Sequence, residues 1–318
     1  MSKLKKHLIL SIIAVFLISL LAACGNETSK TTNATGDSDA SVKTRIYSGE
    51  NGKVKVPVQP KRIAVLAHIY VGNVLKLGIT PIAVNEWVKG NKFFGDKLEG
   101  VEVVADGEIE KLVELEPDLI ITFSSDQNLK KYSEIAPTIA LTNTKYSYLE
   151  QHIEIGKIVG KEKEAKAWVD EWNEKARIES KKVKEAIGEN VTVTVLETMD
   201  KETYVYGQNW GRGTEIIYQA LGLKAPEKVI SDAFGPGYKA ISTELIPEYA
   251  GDYIFLGVGA DSRKNSFMDT TLWKNIPAVQ KNNVIEFESE SFWFNDAISL
   301  EKQMEFIVKE LTKRKQSQ

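Results

Sequence analysis

The chain has 318 residues, 42% of them hydrophobic and 27% charged, and a formal net charge of −3. That composition excludes a globally disordered chain and a polytopic membrane protein. The slight excess of acid gives no electrostatic support to a nucleic-acid partner.

The first residues differ from the rest. Lys3, Lys5 and Lys6 precede an apolar run over residues 8–23, interrupted only by Ser11 and Ser19. The run is short for a spanning helix, which needs about 20 apolar residues. A basic start, an apolar middle and the small residues Ala22 and Ala23 give residues 1–23 the three-part layout of a secretory signal. The small pair stands directly before Cys24, the one cysteine of the chain. A lone cysteine makes no internal disulfide, so lipidation explains it better than redox chemistry. The segment resembles a bacterial lipobox, which implies that Cys24 is acylated and holds the processed chain on the outer face of the membrane. Residues 24–45 are rich in Ser, Thr, Asn, Gly and Asp and read as a flexible tether.

From residue 46 on, β-type runs alternate with helical patterns. Residues 62–66 read as a buried strand, and 71–77 as a helix stopped by Gly78. Strands follow at 81–84 and 101–104, a short helix at 109–115, and another strand at 118–123. The stretch 148–188 lacks proline and carries apolar residues at mostly helical spacing, which predicts one long helix, weakened near Gly156 and Gly160. The strand pattern then restarts at 191–196 and 203–206. A helix over 214–221, strands at 253–256 and 283–287, and a terminal helix over 300–311 complete it. The expectation is an α/β fold: a first lobe over 46–147, a connecting helix over 148–188 and a second lobe over 189–318. Two similar lobes, with mainly parallel sheets and one long helix joining them, leave a ligand cleft between them.

The halves echo each other. Leu77-Gly78-Ile79, Glu110 and Pro117-Asp118 recur in order as Leu221-Gly222-Leu223, Glu244, Pro247 and Asp252. In each half the glutamate stands eight residues before the aspartate that opens a strand.

The chemistry-bearing residues are few. After Cys24 the chain has only His68 and His152, too few for a histidine-based metal site. Hydrolase elbow, dinucleotide fingerprint and Walker lysine are all missing. The strongest local signal is Tyr204-Val205-Tyr206-Gly207-Gln208-Asn209-Trp210-Gly211-Arg212-Gly213, a polar, glycine-spaced link between a strand and a helix. A planar cation beside aromatic faces suits an oxygen-rich, partly apolar ligand. The competing reading is a capped loop with Trp210 in the core and Arg212 in a surface ion pair. A second signal is Ser291-Phe292-Trp293-Phe294, where Phe292 and Phe294 suit the core and Trp293 the cleft, unless all three are packing.

The lipobox, the two lobes, the paired glutamates, Tyr206-Gly207-Gln208-Asn209-Trp210-Gly211-Arg212-Gly213 and the late Phe-Trp-Phe together resemble one family. It is the ferric hydroxamate (ferrichrome-type) siderophore-binding lipoproteins of Gram-positive ABC importers. The resemblance covers nearly the whole chain after Cys24. It implies a monomeric, non-enzymatic solute-binding protein with no cofactor, whose ligand is an Fe(III)-siderophore that supplies the iron ligands itself. It implies that Arg212 hydrogen-bonds the hydroxamate oxygens while Tyr204, Trp210 and Trp293 pack on the siderophore. Glu110 and Glu244 match the glutamates that dock such proteins on the permease; on residues alone a solvated helix charge is the common reading, and their matched placement favours docking. A pocket tyrosine from the first lobe is also implied, with Tyr132, Tyr146 and Tyr148 as candidates. His68, Trp87, Phe93 and Phe94 are further candidates for that side. The alternatives are the same scaffold with a catecholate siderophore, haem or ferric citrate, and a lipoprotein enzyme or adhesin.

Overall fold

The computed structural model describes residues 43–199, 202–259 and 266–313. The expected signal, Cys24 and nearly all of the tether lie outside the described residues.

The first described element is an antiparallel hairpin of β1 (Thr44–Gly49) and β2 (Gly52–Pro57). It begins two residues inside the stretch assigned to the tether. Arg45 holds it there by donating from Nη2 to the carbonyls of Lys157 and Ile158, the second at 2.8 Å. Those carbonyls stand in the last turn of a helix, where the regular i+4 donor is missing, so a basic side chain is a natural donor.

The first lobe is a five-stranded parallel sheet. Its strands are β3 (Ile63–Val65), β4 (Ala83–Asn85), β5 (Glu102–Val104), β6 (Leu119–Phe123) and β7 (Thr138–Leu141), in the order β5-β4-β3-β6-β7. Helices α1 (Val71–Lys76), α2 (Ile109–Glu114) and α3 (Leu129–Ile135) occur along its connections. Parallel neighbours require such crossovers. The central strands are mostly apolar, Thr122 excepted, because helices and loops cover both faces.

The single helix expected over 148–188 is two helices, α4 (Tyr148–Val159) and α5 (Glu162–Ile187). The chain turns at Gly160, whose φ is +76°. A Cβ there would lie 2.3 Å from the Val58 carbonyl oxygen, so the hairpin strand end packs where a side chain would stand. Ser147 and Glu150 form a reciprocal capping box that starts α4.

The second lobe has β8 (Val193–Met199), β9 (Glu202–Tyr206), β10 (Tyr238–Ile241), β11 (Tyr253–Val258) and β12 (Val284–Glu288), ordered β10-β9-β8-β11-β12. This sheet is mixed: β8, β11 and β12 run parallel, while β9 and β10 are antiparallel to their neighbours. Only two residues separate β8 from β9, too few for a crossover. Helix α6 (Glu227–Ala233) packs against β9 and β10, and α7 (Ala297–Lys313) closes the described chain.

The echo between the halves has a structural basis. Asp118 accepts from the backbone N–H groups of Lys61 and Arg62, at 2.7 and 3.0 Å, just ahead of β3. Asp252 accepts from the N–H of Thr192, at 2.8 Å, just ahead of β8. Each aspartate opens its own strand and fastens the start of the parallel neighbour.

Helix α7 is not confined to the second lobe. It packs against α5, α1 and residues 92–98. Phe294 and Ile298 belong to the core of the first lobe. Residues 43–313 thus form one compact unit with two sheets, each with its own core.

Candidate functional site

A cleft of about 260 Å³ opens between the two sheets. The first lobe contributes His68, Ile69 and Trp87, with Asn143 and Thr144 from the loop after β7. They follow the carboxyl ends of β3, β4 and β7, where α/β sheets present ligands. The second lobe contributes Met199 at the end of β8, the loop 209–212, and Trp293 with Asn295 after β12.

The 209–212 loop is shaped by backbone that glycine permits. Gly211, Arg212 and Gly213 all have positive φ, at +67°, +58° and +79°. The non-glycine residue among them is the unusual one, because a Cβ disfavours that region. The Arg212 N–H donates to the Phe292 carbonyl at 2.5 Å, and a Cβ on Gly211 would lie 2.4 Å from the Trp293 carbonyl oxygen. The loop therefore lies directly on the segment that carries Trp293.

Arg212 is held in place by several contacts. Nε donates to Glu197 Oε2 at 3.0 Å and Nη1 to the Trp210 carbonyl at 3.2 Å. The guanidinium lies 4.6 Å from the Tyr206 ring centre and 5.6 Å from that of Trp293. A guanidinium has five N–H donors, so donors remain for a ligand.

Glu197 is the centre of this arrangement, with 1% of its surface exposed. Oε2 also accepts from the Tyr206 hydroxyl at 2.8 Å, and Oε1 accepts from Trp293 Nε1 at 2.8 Å. Burial pushes this carboxyl up, but Arg212 and the hydrogen bonds outweigh it and leave it below the usual carboxylate range. Glu197 therefore stays ionised.

The opposite wall is aromatic. His68 meets Phe123 and Phe294 edge-on, at 5.6 and 5.7 Å. Burial lowers its pKa to about 4, against an opposing pull from Asp106, so the ring is neutral at pH 7. Trp87 is 55% exposed and stands 6.1 Å from His68 and 6.2 Å from Trp293, reaching across the cleft. Phe292 and Phe294 are buried, while Trp293 is half-buried at the cleft.

Other sequence candidates lie elsewhere. Tyr204 is half-buried between Tyr206 and Tyr238 and does not line the cleft. Tyr148 is a core residue, its hydroxyl accepting from Trp172 Nε1 at 3.1 Å. Tyr146 is half-buried on the first-lobe core, and Tyr132 belongs to a separate buried cluster. Phe93 packs on Phe292, and Phe94 is fully buried against Phe294. Glu110 and Glu244 are exposed, in the first turn of α2 and of a short helical turn at Thr243–Leu245. Its own backbone N–H and Ser242 hold the Glu244 carboxyl below the usual range. Cleft residues that the sequence reading missed are Ile69, Asn143, Thr144, Met199 and Asn295, together with Glu197 behind Arg212; Tyr206 and Asn209 lie in the glycine-spaced segment but were given no role. Among the described residues no group of three His, Cys, Asp or Glu side chains is placed to hold a metal ion.

Two α/β sheets facing a cleft, bridged by helices, are the architecture of solute-binding proteins. The chain belongs to the family described as Periplasmic binding protein, which it matches over residues 63–290. It is 39% identical to the iron(3+)-hydroxamate-binding protein FhuD of Bacillus subtilis (strain 168), covering 98% of this chain and all of that one. It is 34% identical to the iron(3+)-hydroxamate-binding protein YxeB of the same organism, over 98% of each. Among solved structures it is similar to FhuD2 from Staphylococcus aureus with bound ferrioxamine B. There the TM-score is 0.77 and the identity 38%, covering 80% of this chain and 100% of that one. These relatives are substrate-binding proteins, not enzymes.

Proposed function

We propose that this protein captures ferric hydroxamate siderophores outside the cell and delivers them to an ABC permease. The observation that carries this reading is the cleft wall: one guanidinium, Arg212, set against Trp210, Trp293 and Trp87. In an Fe(III) tris-hydroxamate the siderophore fills the iron coordination shell. The complex presents oxygen acceptors and apolar chain to the protein, and it needs hydrogen-bond donors and aromatic surface rather than metal ligands. Strongly anionic siderophores would favour several basic groups, and among the described residues Arg212 is the one Lys or Arg lining this cleft. The hydroxamate-binding relatives, similar over nearly their whole length, support the same reading.

In this reading Glu110 and Glu244, one per lobe, dock the protein on the permease, and acylated Cys24 ties it to the membrane. The direct test is quenching of tryptophan fluorescence by ferrichrome. Saturable quenching is expected, and none up to high micromolar siderophore would overturn the reading. Anchoring is tested by metabolic labelling with a tagged fatty acid in a Gram-positive host. Label is expected on the wild type and not on Cys24→Ser; equal labelling would remove Cys24 as the acylated residue.

A further inference from the structure

We infer that Glu197 is a specificity-determining residue: it cancels the charge of Arg212, so the cleft accepts neutral ferric complexes and gives no premium to anionic ones. This inference rests on the proposed siderophore-binding function and concerns how that same site chooses among ligands.

The geometry separates Glu197 from an ordinary surface partner. Its carboxylate is buried and lies behind the cleft wall, not on it. It gathers donors from three chain segments: Tyr206 in β9, Arg212 in the loop that follows, and Trp293 after β12. Two of the three, Arg212 and Trp293, line the cleft. A charge removed from water retains a strong field, because little solvent screens it. Arg212 in isolation would make this wall cationic. With Glu197 at 3.0 Å the pair is a dipole of zero net charge that still offers N–H donors. Among the described residues no other Lys or Arg lines the cleft to restore a positive field. Ligand chemistry supplies the consequence. Three hydroxamates balance Fe(III) to a neutral complex, whereas three catecholates leave a complex of charge −3. A neutral, donor-bearing wall suits the first and does not reward the second. Glu197 also fixes the indole and guanidinium that face the ligand, and so acts on the ligand through them.

The test compares ferrichrome, which is neutral, with a ferric tris-catecholate, by fluorescence titration at low and high salt. In Glu197→Gln the cleft carries an uncancelled guanidinium. The catecholate is then expected to bind at least about tenfold more tightly than to wild type at low salt. Most of that gain should vanish at high salt. Ferrichrome should weaken a few-fold, because the new amide cannot accept from all three donors, and that loss should not depend on salt. The variant Glu197→Gln/Arg212→Gln restores a neutral wall, and in it the catecholate gain should disappear. Glu197→Asp keeps the charge with a shorter reach and should keep the wild-type ratio of the two affinities. A merely structural role for Glu197 would weaken both ligands together, with no charge-selective, salt-dependent gain. That result, or an unchanged affinity ratio in Glu197→Gln, would overturn the inference. If the Gln variant does not fold, the wild type decides. A cancelled Arg212 leaves catecholate affinity flat with salt, and a steep fall with salt overturns the inference. Failure of the wild type to bind ferrichrome at all would instead sink the siderophore reading itself.

Discussion

Arg212 has two roles, and they separate experimentally. It lines the cleft, where it is proposed to donate to the ligand, and it is the counter-charge of a buried carboxylate. Arg212→Ala should therefore weaken ferrichrome binding by about 1.5–3 kcal/mol, the usual worth of a hydrogen bond to a charged group. It should also destabilise the protein, because Glu197 is left buried and unpaired; breaking such pairs costs about 3–5 kcal/mol. Urea denaturation at pH 7 would register the second effect. Arg212→Lys keeps the charge but not the planar fork. It should restore much of the stability while binding stays impaired; full binding in Arg212→Lys would show that the fork is dispensable. Arg212 and Trp210 stood out in the sequence because polar and aromatic residues spaced by glycine do not suit a core, and Trp293 stood out in an aromatic cluster after a strand; all three line the cleft. Glu197 was not legible. It stands in a strand among Val195, Leu196 and Thr198, and the partners that give it meaning lie up to 96 residues away. Tyr148 was misleading for the opposite reason. The resemblance implied a pocket tyrosine from the first lobe and left Tyr148 a candidate, but its hydroxyl accepts from an indole inside the core.

At the scale of elements, strands were easier to read than their order. The apolar runs read as strands became strands, because both sheets are covered and need apolar surface, whereas β1, β2, β7 and β10 were not read from the sequence. Pairing partners depend on loop lengths and packing, so the antiparallel edge made by β9 and β10 was not visible in the runs themselves. The helix over 148–188 shows a similar limit. Periodicity continues through Gly160, but the chain turns there to let the Val58 carbonyl approach. Gly160→Ala should be costly on two counts: φ is +76°, and the added Cβ would meet that oxygen at 2.3 Å. A loss of about 1–3 kcal/mol is expected, in the range of strained backbone positions. Arg45→Ala removes the hydrogen bonds that cap the same helix end and should cost less, about 1 kcal/mol. Urea midpoints of the two variants check the order; an Arg45→Ala loss exceeding that of Gly160→Ala would contradict this account.

For the whole molecule, the question is what ties the two lobes together. A buried polar patch joins α1, α4 and α7. Asn73 Oδ1 accepts from the Ala297 N–H at 3.1 Å and lies 2.9 Å from His152 Nδ1. An oxygen that only accepts requires Nδ1 to carry a proton. Burial, with help from Lys76, lowers its pKa to about 4. One residue before Ala297, burial raises Asp296 to about 6, although Ile298 and Ser299 donate to it. The two groups act on stability with opposite sign. Between about pH 6.5 and 4 the unfolded chain holds a proton on His152 that the folded protein excludes, so this contribution is lost as pH falls. Between about pH 6 and 3.8 the folded protein holds a proton on Asp296 that the unfolded chain has released, so this one is gained as pH falls. Variants separate them. Relative to wild type, His152→Gln should gain about 2 kcal/mol on going from pH 7 to pH 5, while Asp296→Asn should lose about 1 kcal/mol over the same step. Urea unfolding of the three proteins at both pH values reads this directly. Parallel shifts in both variants would mean that the patch does not hold one neutral imidazole and one elevated carboxyl at the junction of the lobes.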